Sequence, residues 1–158
     1  MSSRSFNLII DSKISSFKKN IKVDPDKSLS IRSFLIGALC QNLSIANNVL
    51  ESDDVFSTIE CLKKLGVKIN KIRPKKYIIY GKGLGSLYLK KNGKLNFGNS
   101  GTLARLLIGI LSTTPGIQAN LKGDHSLNRR SMKELIDIMS DFGAEFLPSK
   151  KSKFPLNL

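Results

Sequence analysis

The sequence predicts an α/β (α+β) protein built from a repeated βαβαββ unit, with about one and a half to two copies in its 158 residues. Apolar residues recur at helical spacing in several segments, and short alternating segments lie between them. Two local sequences also recur in the second half of the chain. Ile36-Gly37-Ala38-Leu39 returns as Ile108-Gly109-Ile110-Leu111, and Leu65-Gly66-Val67 corresponds to Phe142-Gly143-Ala144. Self-similarity at this period indicates a duplicated unit that packs against its copy.

The first half is predicted to alternate strands and capped helices. Asp26 and the Ser52-Asp53-Asp54 run suit helix N-termini, and Gly66 suits a helix end. A lone glycine-rich stretch at 81–85, with no helix behind it, is interpreted as a hairpin turn. The expected elements are strands at 5–10 and 21–23, a helix at 27–40, a strand at 44–49, a helix from Asp53 to Gly66, and strands at 67–72, 77–80 and 86–89.

The second half is predicted to repeat this order with a helix at about 101–113, a strand at 117–122, a helix at 129–142 and a strand at 144–147. Residues 148–158 are interpreted as a basic tail, so the second copy is expected to lack its closing strands. We therefore expect an N-terminal strand segment at 1–22 and an incomplete domain at 23–158, with units at about 23–91 and 94–158.

The charge balance favours an anionic ligand but does not specify one. Lys and Arg number 26 against 12 Asp and Glu, a net charge of +14, which suits phosphorylated metabolites, nucleic acid or anionic membranes. The lysines are spread along the chain, so most of them are interpreted as solvent-exposed surface charges. No apolar run reaches the roughly 20 residues that a membrane span needs, and no signal peptide is evident. A cytoplasmic protein is expected, with Cys40 and Cys61 as core thiols and neither a disulfide nor a metal site.

Two helix starts combine hydroxyl groups, main-chain donors and an arginine. Between the apolar run Leu95–Phe97 and the helix that follows, Gly98 and Gly101 allow close approach of a ligand to the backbone, and Asn99 and Ser100 can cap the helix. The free N–H groups and the dipole of a helix start favour anions. Thr102 and Arg105 follow on the first turns, as Ser28 and Arg32 do in the helix that opens at Lys27, and Arg129-Arg130 is expected to open the fourth helix. The two anion sites would converge if the copies pack side by side.

Four segments in this order resemble the motifs of the 5-enolpyruvylshikimate-3-phosphate synthase (3-phosphoshikimate 1-carboxyvinyltransferase) family. Together they cover nearly all of residues 20–146, and their combination is specific although each motif alone is weak. They are Lys27-Ser28-Leu29-Ser30-Ile31-Arg32, Leu50-Glu51-Ser52-Asp53-Asp54, Gly98-Asn99-Ser100-Gly101-Thr102 with Arg105, and Gly123-Asp124-His125-Ser126-Leu127 with Arg130 and Met132.

The resemblance implies the enolpyruvyl transferase fold and its chemistry. The family transfers the enolpyruvyl group of phosphoenolpyruvate to the 5-hydroxyl of shikimate 3-phosphate in the shikimate pathway of aromatic amino acid biosynthesis, and it uses no metal or organic cofactor. Family enzymes are much longer, so this chain is similar to their N-terminal portion. The carboxylates that move protons would lie in the C-terminal part, which is the implied partner. The chain alone is expected to be inactive and at most a weak binder.

The resemblance also implies roles for particular residues. Lys27 would touch both substrates as the catalytic residue within this chain. Shikimate 3-phosphate would bind to Ser28 and Arg32, and Thr102 and Arg105 would support the glycine-containing loop from behind. Phosphoenolpyruvate would lie against Asn99, Gly101 and Arg130.

Three other readings stay open at this stage. The first is a related enzyme that transfers enolpyruvate to UDP-N-acetylglucosamine, although its cysteine-bearing loop is not found here. The second is a small basic nucleic-acid-binding module, which only the charge favours, because aromatic residues for base stacking are scarce. The third is a metabolite-binding half-protein that works with a separately encoded partner. Shikimate 3-phosphate and phosphoenolpyruvate remain the expected partners, without nucleic acid or membrane.

Overall fold

The computed structural model describes residues 23–158 throughout and, before them, residues 7, 9, 11, 13, 16, 18, 20 and 21. The strands predicted at 5–10 and 21–23 lie partly outside the described residues. The described chain forms four helices and six strands, together with one 3-10 turn at Leu127–Arg129. In chain order these are α1 (Lys27–Leu39), β1 (Leu43–Asn47), α2 (Asp53–Lys64), β2 (Lys68–Arg73), β3 (Lys76–Tyr80), β4 (Lys94–Asn96), α3 (Gly101–Ser112), β5 (Asn120–Lys122), α4 (Lys133–Asp141) and β6 (Leu156–Asn157).

The first three strands form an antiparallel sheet in the order β1–β3–β2. Ile78 in the central strand lies opposite Ile45 on one side and Asn70 on the other. Alternate residues of the sheet, such as Ile69, Tyr77 and Ile79, are buried, because successive side chains of a strand point to opposite faces. Helices α1 and α2 pack along each other, and both contact this sheet.

A second sheet has the order β4–β5–β6, with β4 parallel and β6 antiparallel to β5. Helix α2 contacts β4, and α1 contacts α3, so one hydrophobic core runs through the described residues. Helix α3 forms where it was predicted because Leu103, Leu107 and Leu111 recur at the helical period, and all three are fully buried.

The interpretation of residues 148–158 as a basic tail is wrong. Phe154 and Leu156 are buried, with 4% and 1% of their surface exposed, and the Phe154 ring lies 5.5 Å from that of Phe97. Leu147 and Asn157 exchange two backbone hydrogen bonds of 2.9 and 2.8 Å. β6 therefore lies between β5 and Leu147 and runs antiparallel to both. Extended segments are thus present where the sequence predicted only a tail.

Several other predicted elements differ from the structure. Residues 86–89 form no strand: they run as an irregular segment in which Leu87 is buried and the Tyr88 amide donates to the Leu65 carbonyl. Helix α4 is shorter than 129–142. Leu127–Arg129 form a separate 3-10 turn, in which the Leu127 amide donates to the Asp124 carboxylate, and α4 begins only at Lys133. The strand expected at 117–122 is shorter in the structure and corresponds to β5. The strand expected at 144–147 is reduced to a single β-bridge at Leu147.

One of the two thiol predictions is also wrong. Cys61 is buried in α2 as expected, but Cys40 is exposed at the end of α1. Both cysteines are free. No helix among the described residues is long and apolar enough to cross a membrane.

Candidate functional site

Three helices begin at one cleft of about 760 Å³. Lys27 is the first residue of α1, Asp53 and Asp54 begin α2, and Gly101 and Thr102 begin α3. Free N–H groups and partial positive charge collect at helix starts, so the cleft is suited to an anion. The predicted convergence of the first and third helix starts is therefore seen in the structure. The cleft is lined by Lys27, Asp53, Asp54, Ser57, Gly98, Asn99, Gly101, Thr102, Asp124 and Arg130.

An ion pair holds Lys27 at the cleft. The Asp26 side chain caps α1 by accepting a hydrogen bond of 2.6 Å from the Leu29 amide, which leaves the next side chain, Lys27, at the exposed start of the helix. Its Nζ lies 3.0 Å from Oδ2 of Asp54. The first turns of α1 and α2 are thus joined by opposite charges.

The turn before α3 depends on a glycine. Gly98 has a φ of +57°, which favours glycine, and a Cβ there would lie 2.8 Å from Oγ of Ser57. Ser100 is completely buried and caps α3 by accepting a hydrogen bond of 3.3 Å from the Leu103 amide. Since Ser100 supplies the cap, the Asn99 side chain stays available to the cleft.

A second loop brings Arg130 to the same turn. The Asp124 amide donates to the Gly98 carbonyl at 2.8 Å, and the Asp124 carboxylate accepts from the Leu127 amide at 2.7 Å. The loop ends with Arg130, whose NH2 group donates to Oδ1 of Asn99 at 2.9 Å. Arg130 therefore lies before α4 and does not open it as predicted, but it still lines the cleft with Asn99.

Three predicted site residues do not line the cleft. Ser28 is half-buried and Arg32 is exposed on α1. Arg105 is exposed on α3 and donates from its NH2 group to the Ser131 carbonyl at 3.4 Å, so it bridges α3 to the segment that follows Arg130. The other five predicted residues, Lys27, Asn99, Gly101, Thr102 and Arg130, are brought together.

Carboxylates are the part of the cleft that the sequence reasoning missed. Asp53, Asp54 and Asp124 line it together with Ser57 and Gly98. Asp53 and Asp54 were predicted as helix-capping residues and belonged to one family motif, and Asp124 belonged to another, but none of the three was assigned a role in the site. The cleft thus offers two side-chain cations and helix N–H groups to an anion, and carboxylates to hydroxyl donors. A ligand that carries both phosphate and hydroxyl groups fits this combination. Among the described residues no cluster of acidic, cysteine or histidine side chains is arranged to hold a metal.

The chain matches known proteins over nearly all of its length. The family model described as EPSP synthase (3-phosphoshikimate 1-carboxyvinyltransferase) matches residues 12–157. The chain is 40% identical to the 3-phosphoshikimate 1-carboxyvinyltransferase of Novosphingobium aromaticivorans over 89% of this chain and 32% of that protein. It is 43% identical to the one from Caldicellulosiruptor bescii over 85% of this chain and 30% of that protein.

The structure is also similar to a solved enzyme. EPSP synthase from Acinetobacter baumannii superposes with a TM-score of 0.80 at 30% identity, covering 90% of this chain and 32% of that one. The chain spans about a third of the length of the curated relatives that it matches. On these grounds the chain belongs to the EPSP synthase (3-phosphoshikimate 1-carboxyvinyltransferase) family.

Proposed function

We propose that this chain forms part of an enzyme that transfers the enolpyruvyl group of phosphoenolpyruvate to the 5-hydroxyl of shikimate 3-phosphate and releases inorganic phosphate. The observation that carries the proposal is the cleft where three helices begin, since it combines anion-binding groups with carboxylates. Shikimate 3-phosphate carries both a phosphate and free hydroxyl groups. Family membership supports the same reaction, which belongs to the shikimate pathway.

Within this cleft Lys27 would contact both substrates. The family motifs assign Ser28 and Arg32 to shikimate 3-phosphate, and Asn99, Gly101 and Arg130 to phosphoenolpyruvate. The hydrogen bond between Arg130 and Asn99 supports a shared role for those two side chains. Thr102 and Arg105 are proposed to support the glycine-containing loop at 98–101. Arg105 in addition contacts the segment after Arg130, through the Ser131 carbonyl.

The chemistry proposed for these residues is binding and orientation. Lys27 and Arg130 neutralise phosphate and carboxylate charge, and guanidinium groups can bind such anions in a bidentate manner. Holding the hydroxyl close to the enol carbon lowers the entropic part of the barrier. The groups that transfer protons are proposed to lie in the C-terminal part of the enzyme, which is this chain's macromolecular partner. The enzyme is proposed to work in the cytoplasm without contacting nucleic acid or membrane.

A thermal-shift titration with shikimate 3-phosphate tests the proposal. A ligand that binds only the folded form raises the melting temperature, so we expect a saturable rise for the parent chain and its loss in Lys27→Met and Arg32→Ala. Lys63→Met is the matched control, because Lys63 is also an exposed, ion-paired helix lysine but lies outside the cleft. The absence of any rise in a chain that circular dichroism shows to be folded would contradict binding by this part of the enzyme.

One observation favours the nucleic-acid-binding alternative. No Asp or Glu occurs between Glu60 and Asp124, so the first sheet and the segment after it carry only positive charge. However, the rings of Tyr80 and Tyr88 lie under the ammonium groups of Lys68 and Lys82, at 4.9 and 5.8 Å, and are already engaged. Binding to single-stranded DNA that falls steeply with salt, together with no response to shikimate 3-phosphate, would favour this alternative.

A further inference from the structure

The segment that leads into α2 is tied to α1 on one side. The Leu50 amide donates a hydrogen bond of 3.0 Å to Oγ of Ser30. The Ser30 hydroxyl in turn donates to the Asp26 carbonyl at 2.7 Å, at the capped start of α1. The segment 50–54 therefore begins at a fixed distance from the helix start that carries Lys27.

On its other side the segment is tied to the β2–β3 hairpin through Glu51. Oε1 of Glu51 accepts hydrogen bonds from the Lys75 amide at 3.0 Å and from the Tyr77 hydroxyl at 2.7 Å, and it lies 2.9 Å from Nζ of Lys71. The Lys75 amide, then Lys71 and Tyr77, lower the pKa of Glu51 to about 2. The carboxylate is therefore ionised, and it accepts all three contacts, at neutral pH.

The hairpin side of this connection is packed into the core. Tyr77 is buried, and its ring packs edge-on against Phe34 of α1, with 5.3 Å between the ring centroids. Burial, and after it the hydrogen bond to Glu51, raises the pKa of Tyr77 to about 12, so its hydroxyl remains a donor. Glu51 is consequently held by a side chain that is itself fixed in the core.

We propose that Glu51 is a positioning residue for the cleft: by holding segment 50–54 on the β2–β3 hairpin, it places the Asp54 carboxylate where it pairs with Lys27. Asp54 lies three residues beyond Glu51, and its ion pair of 3.0 Å is the contact that orients the Lys27 ammonium group. Small displacements of a binding group weaken its interactions strongly. The choice of shikimate 3-phosphate as the ligand rests on the proposed function, whereas the positioning of Asp54 by Glu51 does not.

A purely structural role for Glu51 predicts a different result. In that case, substitution of Glu51 would lower the melting temperature but would not change the affinity of the folded molecules for shikimate 3-phosphate. Two mild variants separate the roles. Glu51→Gln keeps an oxygen acceptor but loses the charge that attracts Lys71, and Tyr77→Phe removes one donor while it keeps the ring that packs on Phe34.

The first experiment is calorimetric titration of the full 158-residue chain with shikimate 3-phosphate, at a temperature where circular dichroism shows each variant folded. We expect Glu51→Ala to weaken the binding of shikimate 3-phosphate about 10-fold or more. The affinities of Glu51→Gln and Tyr77→Phe should lie between those of the parent and Glu51→Ala. Glu60→Ala is the control, since Glu60 is an exposed glutamate of α2 whose ion pair is with Lys63 of the same helix and not with Lys71 of the hairpin. Unchanged affinity in all three variants would overturn the proposal.

A second readout needs no ligand and keeps the two proposals separate. In the parent chain, Lys27→Ala should shift the NMR signal of the Asp54 side-chain carboxyl carbon because it removes the paired charge. Glu51→Ala should shift the same signal in the same direction, and Glu60→Ala should leave it in place. If the parent chain does not bind shikimate 3-phosphate, the proposed function fails for this chain and the NMR comparison alone decides. The positioning role would be overturned if the Asp54 signal stayed at its parent position in Glu51→Ala, or if it stayed there in Lys27→Ala.

Discussion

The ammonium group of Lys27 lies 3.0 Å from the carboxylate of Asp54, so the first turns of two helices meet through opposite charges at the cleft. Helix starts attract anions, and a carboxylate placed among them opposes that attraction. The pair therefore holds the lysine at the cleft in the absence of ligand. An arriving phosphate would have to share Lys27 with Asp54, which favours ligands whose hydroxyl groups donate to the carboxylate.

The Lys27–Asp54 pair should matter for binding and little for stability. The Lys27 side chain is 48% exposed and that of Asp54 is 19% exposed. Exposed pairs contribute about 0–1 kcal/mol, and Asp54 keeps a favourable position without Lys27 because it lies in the first turn of α2. We expect Lys27→Met to lower the free energy of unfolding by less than about 1 kcal/mol, as measured by urea denaturation, although it removes ligand binding. A loss of several kcal/mol would show that the pair is structural.

The serines at the starts of α2 and α3 should respond differently to substitution. Ser100 is buried and accepts a hydrogen bond from the Leu103 amide, so Ser100→Ala should destabilise by about 1 kcal/mol. Ser52 occupies the same position before α2, but its side chain makes no capping bond, and its buried Oγ has no partner among the described residues. Ser52→Ala should therefore be neutral or slightly stabilising. Equal losses for the two variants in urea denaturation would contradict this contrast.

The sequence predicted the helices better than the strands. Helices α1 and α3 combine a capping residue with apolar residues at the helical period, and both signals are local. The hairpin at 147–157 was missed because β6 has only two residues and lysines dominate the segment before it. Its apolar residues become buried only through contact with distant residues such as Phe97, which no local pattern reports.

The candidate site was predicted in its cations and missed in its carboxylates. Helix starts with glycines, hydroxyls and basic side chains are a local sequence signal, and five of those residues do line the cleft. The pairing of Lys27 with Asp54 joins residues 27 positions apart on different helices. Such a contact depends on how α1 and α2 pack, and neither the helix-cap pattern nor the family motif that contains Asp54 predicts it.

The residues once interpreted as a tail should contribute to stability. Phe154 is buried against Phe97, and truncation of a buried phenylalanine to alanine typically costs about 3–5 kcal/mol. Phe154→Ala should accordingly lower the urea midpoint sharply, whereas its exposed neighbour Lys153, changed to alanine, should leave the midpoint nearly unchanged. Equal urea midpoints for the two variants would show that residues 148–158 do not pack against the core.

The two thiols should differ in reactivity. Burial raises the pKa of Cys61 to about 12, and its Sγ donates to the Asn96 carbonyl at 3.4 Å, whereas Cys40 is exposed. Since the thiolate is the reactive form, a thiol reagent should modify one site quickly in the folded chain and the second only after denaturation. In Cys40→Ser the fast reaction should disappear. Its persistence would show that Cys61 is accessible.

The carboxylate of Glu51 should make stability depend on pH in the acid range. Its pKa is lowered from 4.5 to about 2 in the folded chain by the Lys75 amide, Lys71 and Tyr77. A lowered folded-state pKa contributes stability that is fully present above the unfolded pKa and is lost as the pH falls towards the folded one. The parent should therefore exceed Glu51→Gln in unfolding free energy by a constant amount above about pH 5, and this difference should shrink between about pH 4.5 and 2. Urea denaturation of both proteins across this range measures it. If the difference in unfolding free energy stayed constant down to pH 2, the partners of Glu51 would not be stabilising its ionised form.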